Sequence, residues 1–136
     1  MADGKIQLEV VTPARRILSQ TVSEVRAPGA NGSFGVRPGH MPFVAQMKAG
    51  ALVATGGEGD VSFAVGEGFV QVAQDRVLVL AETADRAEDL ELGAVSTEFE
   101  TESKKLRGMK ESDAGFELQQ AKVGRAAAKV LVASKK

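Results

Sequence analysis

The hydrophobic pattern of this 136-residue chain changes period once, and that change divides it into two kinds of structure. Up to about Ala87, apolar residues recur at every second position. Lys5-Ile6-Gln7-Leu8-Glu9-Val10 alternates strictly, and Thr21–Val25, Val61–Val65, Phe69–Val72 and Val77–Leu80 continue in the same style. Period two sends successive side chains to opposite faces of a strand. Turn signals punctuate the runs: Pro28-Gly29, Asn31-Gly32, Gly56-Gly57-Glu58-Gly59-Asp60 and Gly66-Glu67-Gly68. Short strands joined by glycine-rich turns at spacings of roughly 8–12 residues predict an antiparallel β-sandwich. Hairpins are expected around Thr55–Asp60 and around Gln74-Asp75-Arg76.

Beyond Ala87 glycine becomes sparse and proline vanishes. Leu92, Val95, Phe99 and Leu106 fall at i, i+3, i+7 and i+14, the spacing of one helical face. Gly108 offers a stop, and Ser112 or Asp113 a cap for a second helix. In that helix Phe116, Val123 and Val130 stand a heptad apart, and Ala121, Gly124 and Ala128 form a small-residue stripe suited to close approach by another helix. Two helices of about 18–22 residues with a short connection predict an antiparallel hairpin. The fold class expected is therefore α+β, with a sandwich over residues 1–87 and a two-helix hairpin over 88–136. The hairpin has few large apolar side chains. At roughly 25 cal/mol per Å² its burial barely exceeds a chain entropy of about 1–2 kcal/mol per residue, so it depends on docking and is expected to move.

Charge is segregated in the helical half. Every charged residue from Glu88 to Glu102 is acidic, and after Glu117 only Lys122, Arg125, Lys129, Lys135 and Lys136 remain. One reading is complementarity to the helix dipoles, worth about 0.3–1 kcal/mol per charge. The other is an electrostatic clasp between helices, or a basic tip that seeks an acidic partner.

Composition excludes several kinds of function. There is no cysteine, hence no disulfide framework or thiol chemistry. A single histidine with no carboxylate near it in sequence argues against a metal centre. The glycines at 29, 32 and 35 lack the Gly-Lys-Ser/Thr ending of a phosphate loop. No cofactor, metal or catalytic residue is therefore expected. A net charge of −1 and few aromatics speak against nucleic-acid binding. No apolar run reaches the roughly 18 residues of a membrane span. The N-terminal Met1-Ala2-Asp3-Gly4-Lys5 has neither a secretory nor a transit character, which predicts a mature start in the bacterial cytosol.

Residues 32–50 hold four glycines, two prolines and the only histidine, and read as a rigid surface loop whose backbone shape a partner can recognise. Here the chain resembles a known family. The pattern Gly-x-Phe/Leu-Gly-Val-x-Pro-Gly-His-x-Pro, present as Gly32 to Pro42, resembles that of the epsilon subunit of bacterial F-type ATP synthase. Val10-Val11-Thr12-Pro13, Lys48-Ala49-Gly50-Ala51-Leu52, Gly68–Val72 and Arg76–Ala84 match further blocks in the family's order.

The resemblance implies a non-catalytic rotor subunit coupling rotation of the membrane c-subunit ring to the catalytic head. Its sandwich would lie against the gamma subunit and the c-ring. By position, Asn31, Gly32, Ser33, Phe34, Arg37, His40 and Met41 would lie near the ring's polar loops, with Arg37 either pairing with an acidic ring loop or remaining solvated. The hairpin would exchange between folded and extended forms. The extended form would present Lys122, Arg125 and Lys129 to acidic residues of the alpha/beta head and block ATP hydrolysis. The location implied is peripheral, on the cytoplasmic face of the bacterial inner membrane, with no direct insertion. Some relatives bind ATP through Ile/Leu-Asp-x-x-Arg-Ala; here Leu90-Glu91-Leu92-Gly93-Ala94-Val95 lacks the arginine, so weak or absent ATP binding is expected. The alternatives are a free-standing β-sandwich small-molecule binder or enzyme with a helical tail, and a nucleic-acid or membrane-surface binder using the basic last helix.

Overall fold

Ile6, Leu8 and Val10 of the first strand are almost fully buried, while Gln7 and Glu9 between them are not, so the period-two reading survives in three dimensions. The computed structural model describes residues 4–136. Met1, Ala2 and Asp3, part of the N-terminal segment read above, lie outside the described residues. Ten strands follow in order: β1 (Ile6–Val11), β2 (Arg16–Val22), β3 (Glu24–Gly29), β4 (Gly32–Val36), β5 (Phe43–Met47), β6 (Gly50–Thr55), β7 (Val61–Val65), β8 (Gly68–Val72), β9 (Arg76–Ala81) and β10 (Ala84–Arg86). A 3₁₀ turn at Ala87–Asp89 leads into α1 (Leu92–Arg107) and α2 (Phe116–Ser134).

The strands are hydrogen-bonded in the order β10-β7-β6-β3-β5-β8-β9-β1-β2, with β4 added to β3. Every pairing is antiparallel except β1 with β9, a parallel contact that the sequence pattern does not announce. β3 joins the two layers of the sandwich. Its first half, Glu24–Arg26, pairs with β6, whereas Gly29 pairs with Met47 of β5. The core between the layers is built from Leu8, Val10, Val22, Val25, Val36, Met47, Leu52, Phe63, Val70 and Val77, with their neighbours. At the far ends of the strand order, Arg86 of β10 donates from Nη2 to the carbonyl oxygen of Ile17 in β2 at 2.9 Å. Its guanidinium carbon also lies 5.4 Å from the ring centre of Phe63, within cation–π range.

Both predicted hairpins are present, as β6–β7 and β8–β9. Three local readings are corrected. Thr21–Val25 is not one strand but the end of β2 and the start of β3, because a bend at Ser23 carries the chain between partners. Val22 pairs back with Ile6, and Glu24 pairs with Thr55. Pro28-Gly29 is not a turn but the end of β3; the Pro28 carbonyl accepts from the Lys48 amide at 2.9 Å, and its missing N–H costs the ladder nothing. Residues 32–50 are not one loop, since β4 and β5 occupy most of them. Phe34 and Val36 fill inward positions of β4, and their burial outweighs the neighbouring glycines. The loop itself shrinks to the six positions 37–42.

The helices are 16 and 19 residues long. Gly108 follows α1 with φ −84°, an ordinary conformation rather than a left-handed cap. α2 is capped by Gly115 at φ +85° and not by Ser112 or Asp113. The Asp113 carboxylate instead accepts from the Lys110 amide at 2.8 Å, ordering the connection. α2 lies on the outside of β6 and β7. Ala128, Val132 and Ala133 form a second cluster with Ala64, Leu90 and Val95, bordered by Ala49 and Ala51. The small-residue stripe thus meets the sandwich: a Cβ added at Gly124 would stand 3.8 Å from that of Ala49.

Candidate functional site

The seven residues singled out in the glycine-rich segment fall at two ends of one strand. Asn31, Gly32 and Ser33 form the exposed tip of the β3–β4 hairpin, and Gly32 adopts φ +128°, which a side chain would oppose. Arg37, His40 and Met41 lie in the loop beyond the other end of β4. Five strand residues at about 3.3 Å each separate the groups by roughly 15 Å. Phe34 is half-buried between them. Its ring meets Phe43 edge-on at 5.6 Å, and the His40 ring stands 5.1 Å from Phe43. His40 Nδ1 is 3.0 Å from the Met41 carbonyl oxygen. Met41 itself is 79% exposed, a bare thioether on the surface. Arg37 leans toward Glu24 at 3.7 Å, a loose and mostly solvated pair.

The sequence reading missed a larger feature beside this loop. Strand register aligns Val44, Gln71, Leu78 and Glu9 in one outward row across β5, β8, β9 and β1. The next row holds Gln46, Phe69, Leu80 and Val11. Val44, Phe69 and Leu80 are 65%, 51% and 37% exposed, and no helix covers them. A groove of about 550 Å³ opens at the Phe43 end, lined by Pro42, Phe43, Val44, Gln71 and Leu78 among others. A signal was present: Val77-Leu78-Val79-Leu80, counted above among the alternating runs, is in fact apolar at all four positions, and an unbroken apolar run marks a strand meant to be covered on both faces. A contiguous apolar patch of this kind is the usual mark of a protein–protein surface.

Two of the three bases of the last helix, Arg125 and Lys129, form ion pairs within the chain. Arg125 Nε donates to Glu67 Oε1 at 2.9 Å, tying α2 to the turn between β7 and β8. This hydrogen bond is the main reason the Glu67 carboxyl lies below the ordinary glutamate range. Lys129 Nζ reaches the two carboxylate oxygens of Glu98 in α1 at 3.3 and 3.2 Å. The carboxyl of Glu102 is likewise lowered, chiefly by a hydrogen bond from the Gln119 amide, with charge from Lys105 and Lys122 adding to it. Of the two readings of charge segregation, the clasp is present, and one of its jaws is on the sandwich.

At the start of α1, Glu91 is committed to the helix. Its carboxylate accepts from the amides of Gly93 at 3.1 Å and Ala94 at 2.6 Å, capping the first turn. Among the described residues, no group of three or more His, Asp or Glu side chains is placed to hold a metal. No helix is long and apolar enough to cross a membrane.

Comparison with known proteins agrees with the strand order and the helical tail. Residues 5–87 match the beta-sandwich domain of the ATP synthase delta/epsilon chain. An ATP synthase epsilon chain of Anaeromyxobacter sp. is 43% identical over 130 residues, covering 96% of this chain and 98% of that one. The epsilon chain of Myxococcus xanthus is 41% identical over 127 residues, covering 93% of each. Among solved structures, a chain of the Euglena gracilis mitochondrial ATP synthase shares the fold at a TM-score of 0.76 and 20% identity. That match covers 98% of this chain and 82% of the other. A chain from the central stalk and c-ring of the Tetrahymena thermophila mitochondrial enzyme follows at a TM-score of 0.57 and 14% identity. With a sandwich that carries the family's domain and full-length relatives above 40% identity, this chain belongs to the epsilon chains of ATP synthase, non-catalytic subunits of that enzyme.

Proposed function

We propose that this chain is a central-stalk rotor subunit of a bacterial proton-translocating ATP synthase, and that its two parts divide the work. Residues 1–87 fix the subunit to the gamma subunit and the c-ring; residues 88–136 act as a brake on ATP hydrolysis. The observation that carries the first half is the uncovered apolar surface of Val44, Phe69, Leu78 and Leu80. Such a surface suits a protein partner held throughout the working cycle, and the gamma subunit is the occupant this reading assigns. The polar tip at Asn31–Ser33 and the Arg37–Met41 loop flank that surface and suit the polar loops of the ring. The stalk and ring assemblies in which its structural neighbours occur support the same reading. The assembled subunit would sit peripherally on the cytoplasmic face of the inner membrane.

The brake is supported by the lean docking of α2 and by its row of bases, Lys122, Arg125 and Lys129, which in an extended form would meet acidic residues of the alpha/beta head. The test is ATP hydrolysis by a bacterial complex stripped of its own epsilon chain. Added back, the full-length chain is expected to bind and to slow hydrolysis. Reversing the charge of Lys122, Arg125 and Lys129 together is expected to remove the slowing while binding persists. Unchanged inhibition by that variant would sink the brake. A chain that stays monomeric and unbound would sink the stalk assignment and favour a free-standing β-sandwich binder.

A further inference from the structure

Lys122, Arg125 and Lys129 are spaced three and four apart, so they stand on one side of α2. That side faces two separate bodies. Arg125 meets Glu67 on the sandwich, Lys129 meets Glu98 on α1, and the charge of Lys122 acts on Glu102, also on α1. Arg125 reaches Glu67 across Gly66: a Cβ there would stand 3.4 Å from Arg125 Nε and 2.7 Å from the Thr83 hydroxyl. Any larger residue at 66 would crowd the path. The apolar contacts beside these pairs are made mostly by alanine, with Ala128 and Ala133 of α2 clustered with Ala49, Ala51 and Ala64 of the sandwich. Val132 of α2, with Leu90 and Val95, adds the larger apolar side chains of that cluster, yet methyl groups bury little area, so losing even a modest, partly exposed ion pair shifts the docked population.

We propose that these pairs form an ionic latch whose sandwich jaw, Arg125–Glu67, sets how often the hairpin leaves the sandwich. Release is then a step governed by ionic strength. The Arg125 and Glu67 side chains are 25% and 45% exposed, so mobile salt reaches both. Among the described residues, Arg125–Glu67 is the ion pair that joins α2 to the sandwich, while the Lys129–Glu98 pair and the charge Lys122 exerts on Glu102 hold the two helices to each other. Loss of the first frees the hairpin as a unit; loss of the others loosens it internally. That this release arms the brake rests on the function proposed above, but the latch itself is a property of the isolated chain.

Because the chain has no cysteine, a spin-label pair can be introduced cleanly at two exposed positions, Lys48→Cys beside the covered face and Gln120→Cys on α2. Distance distributions are measured on the full-length protein from low to high sodium chloride, with far-ultraviolet circular dichroism to report helix content. The docked population is expected to fall as salt rises, with helix content unchanged. Glu67→Gln is expected to lower the docked-to-undocked ratio two- to five-fold at low salt and to flatten the salt response. Exchanging the charges, Glu67→Arg with Arg125→Glu, is expected to restore both. A salt-independent distribution in the parent chain would overturn the latch. So would a Glu67→Gln variant that behaves as the parent, or a Glu98→Gln variant that alone releases the hairpin. Since no other subunit is present, failure here leaves the stalk assignment standing, and failure to bind the stalk leaves the latch standing.

Discussion

The two outer faces of the sandwich are built from the same kind of strand and treated in opposite ways. The β6–β7 face presents Ala51 and Ala64, aligned in register, and α2 lies on them. The β5–β8–β9 face presents Val44, Phe69, Leu78 and Leu80, and nothing among the described residues covers it. The chain covers its small side chains itself and leaves its large ones open. Alanine permits close approach but contributes little burial, so the helix on it is held weakly and with the help of ion pairs. Burying a Phe, Leu or Val contributes about 1.5–3 kcal/mol each, enough for a few such residues to anchor a partner for long periods. The weakly held face suits a part that moves, and the strongly apolar face a part that stays.

Breaking this contrast on the open side has the largest expected effect. Phe69→Glu is expected to weaken association with the stripped complex by a hundred-fold or more, about 3 kcal/mol, because it desolvates a charge at the centre of the patch. Melting of the isolated chain is expected to change by less than about 0.5 kcal/mol, since Phe69 is already half exposed. A binding titration and a thermal melt read the two together. The covered side responds to bulk instead. Ala64→Phe is expected to lift α2 and cost about 1–3 kcal/mol, visible as faster amide exchange in α2 with the sandwich core unchanged.

A smaller effect is expected at the start of the hairpin. Glu91→Ala removes the cap of α1 and is expected to cost about 1 kcal/mol, seen as fraying of the first turn of α1 by amide exchange. The latch side should also respond to acid. The folded-state carboxyl of Glu67 lies below its unfolded value because Arg125 donates to it. Its contribution is therefore complete above the ordinary glutamate range of about 4.3 and is lost as pH falls through the lowered value. Docking of α2 is expected to weaken across that acid window, and Glu67→Gln to remove that part of the pH dependence. The smallest expected effect is none: with Ala94 in place of the arginine in the pattern of ATP-binding relatives, and Glu91 occupied as a cap, equilibrium dialysis is expected to find no sub-millimolar ATP binding.

Much of the fold was legible because its signals are local. Strand alternation, the turn signal at Asn31 and the helical spacing after Ala87 each reside within a few residues. The readings that failed needed a neighbour from elsewhere. Pro28 continues a strand because its missing amide proton falls where the ladder does not need it, and Gly32–Val36 is a strand because Phe34 and Val36 find the core. The glycine-rich loop drew attention for its unusual composition, while the Val44–Phe69–Leu80 surface escaped because it is assembled from three strands whose members look ordinary one at a time.

The sequence by itself determined that a period-two sandwich would precede a period-3.6 hairpin, and that acids and bases would occupy different parts of the hairpin. Only the tertiary structure decided that β1 runs parallel to β9, which outer face α2 would cover, and which would be left open. It also decided that Arg125 would meet Glu67, a partner 58 residues away in the chain. Periodicity is written in the spacing of neighbours along the backbone. Which faces meet depends on register and packing among segments far apart, and no single stretch of the chain carries that information.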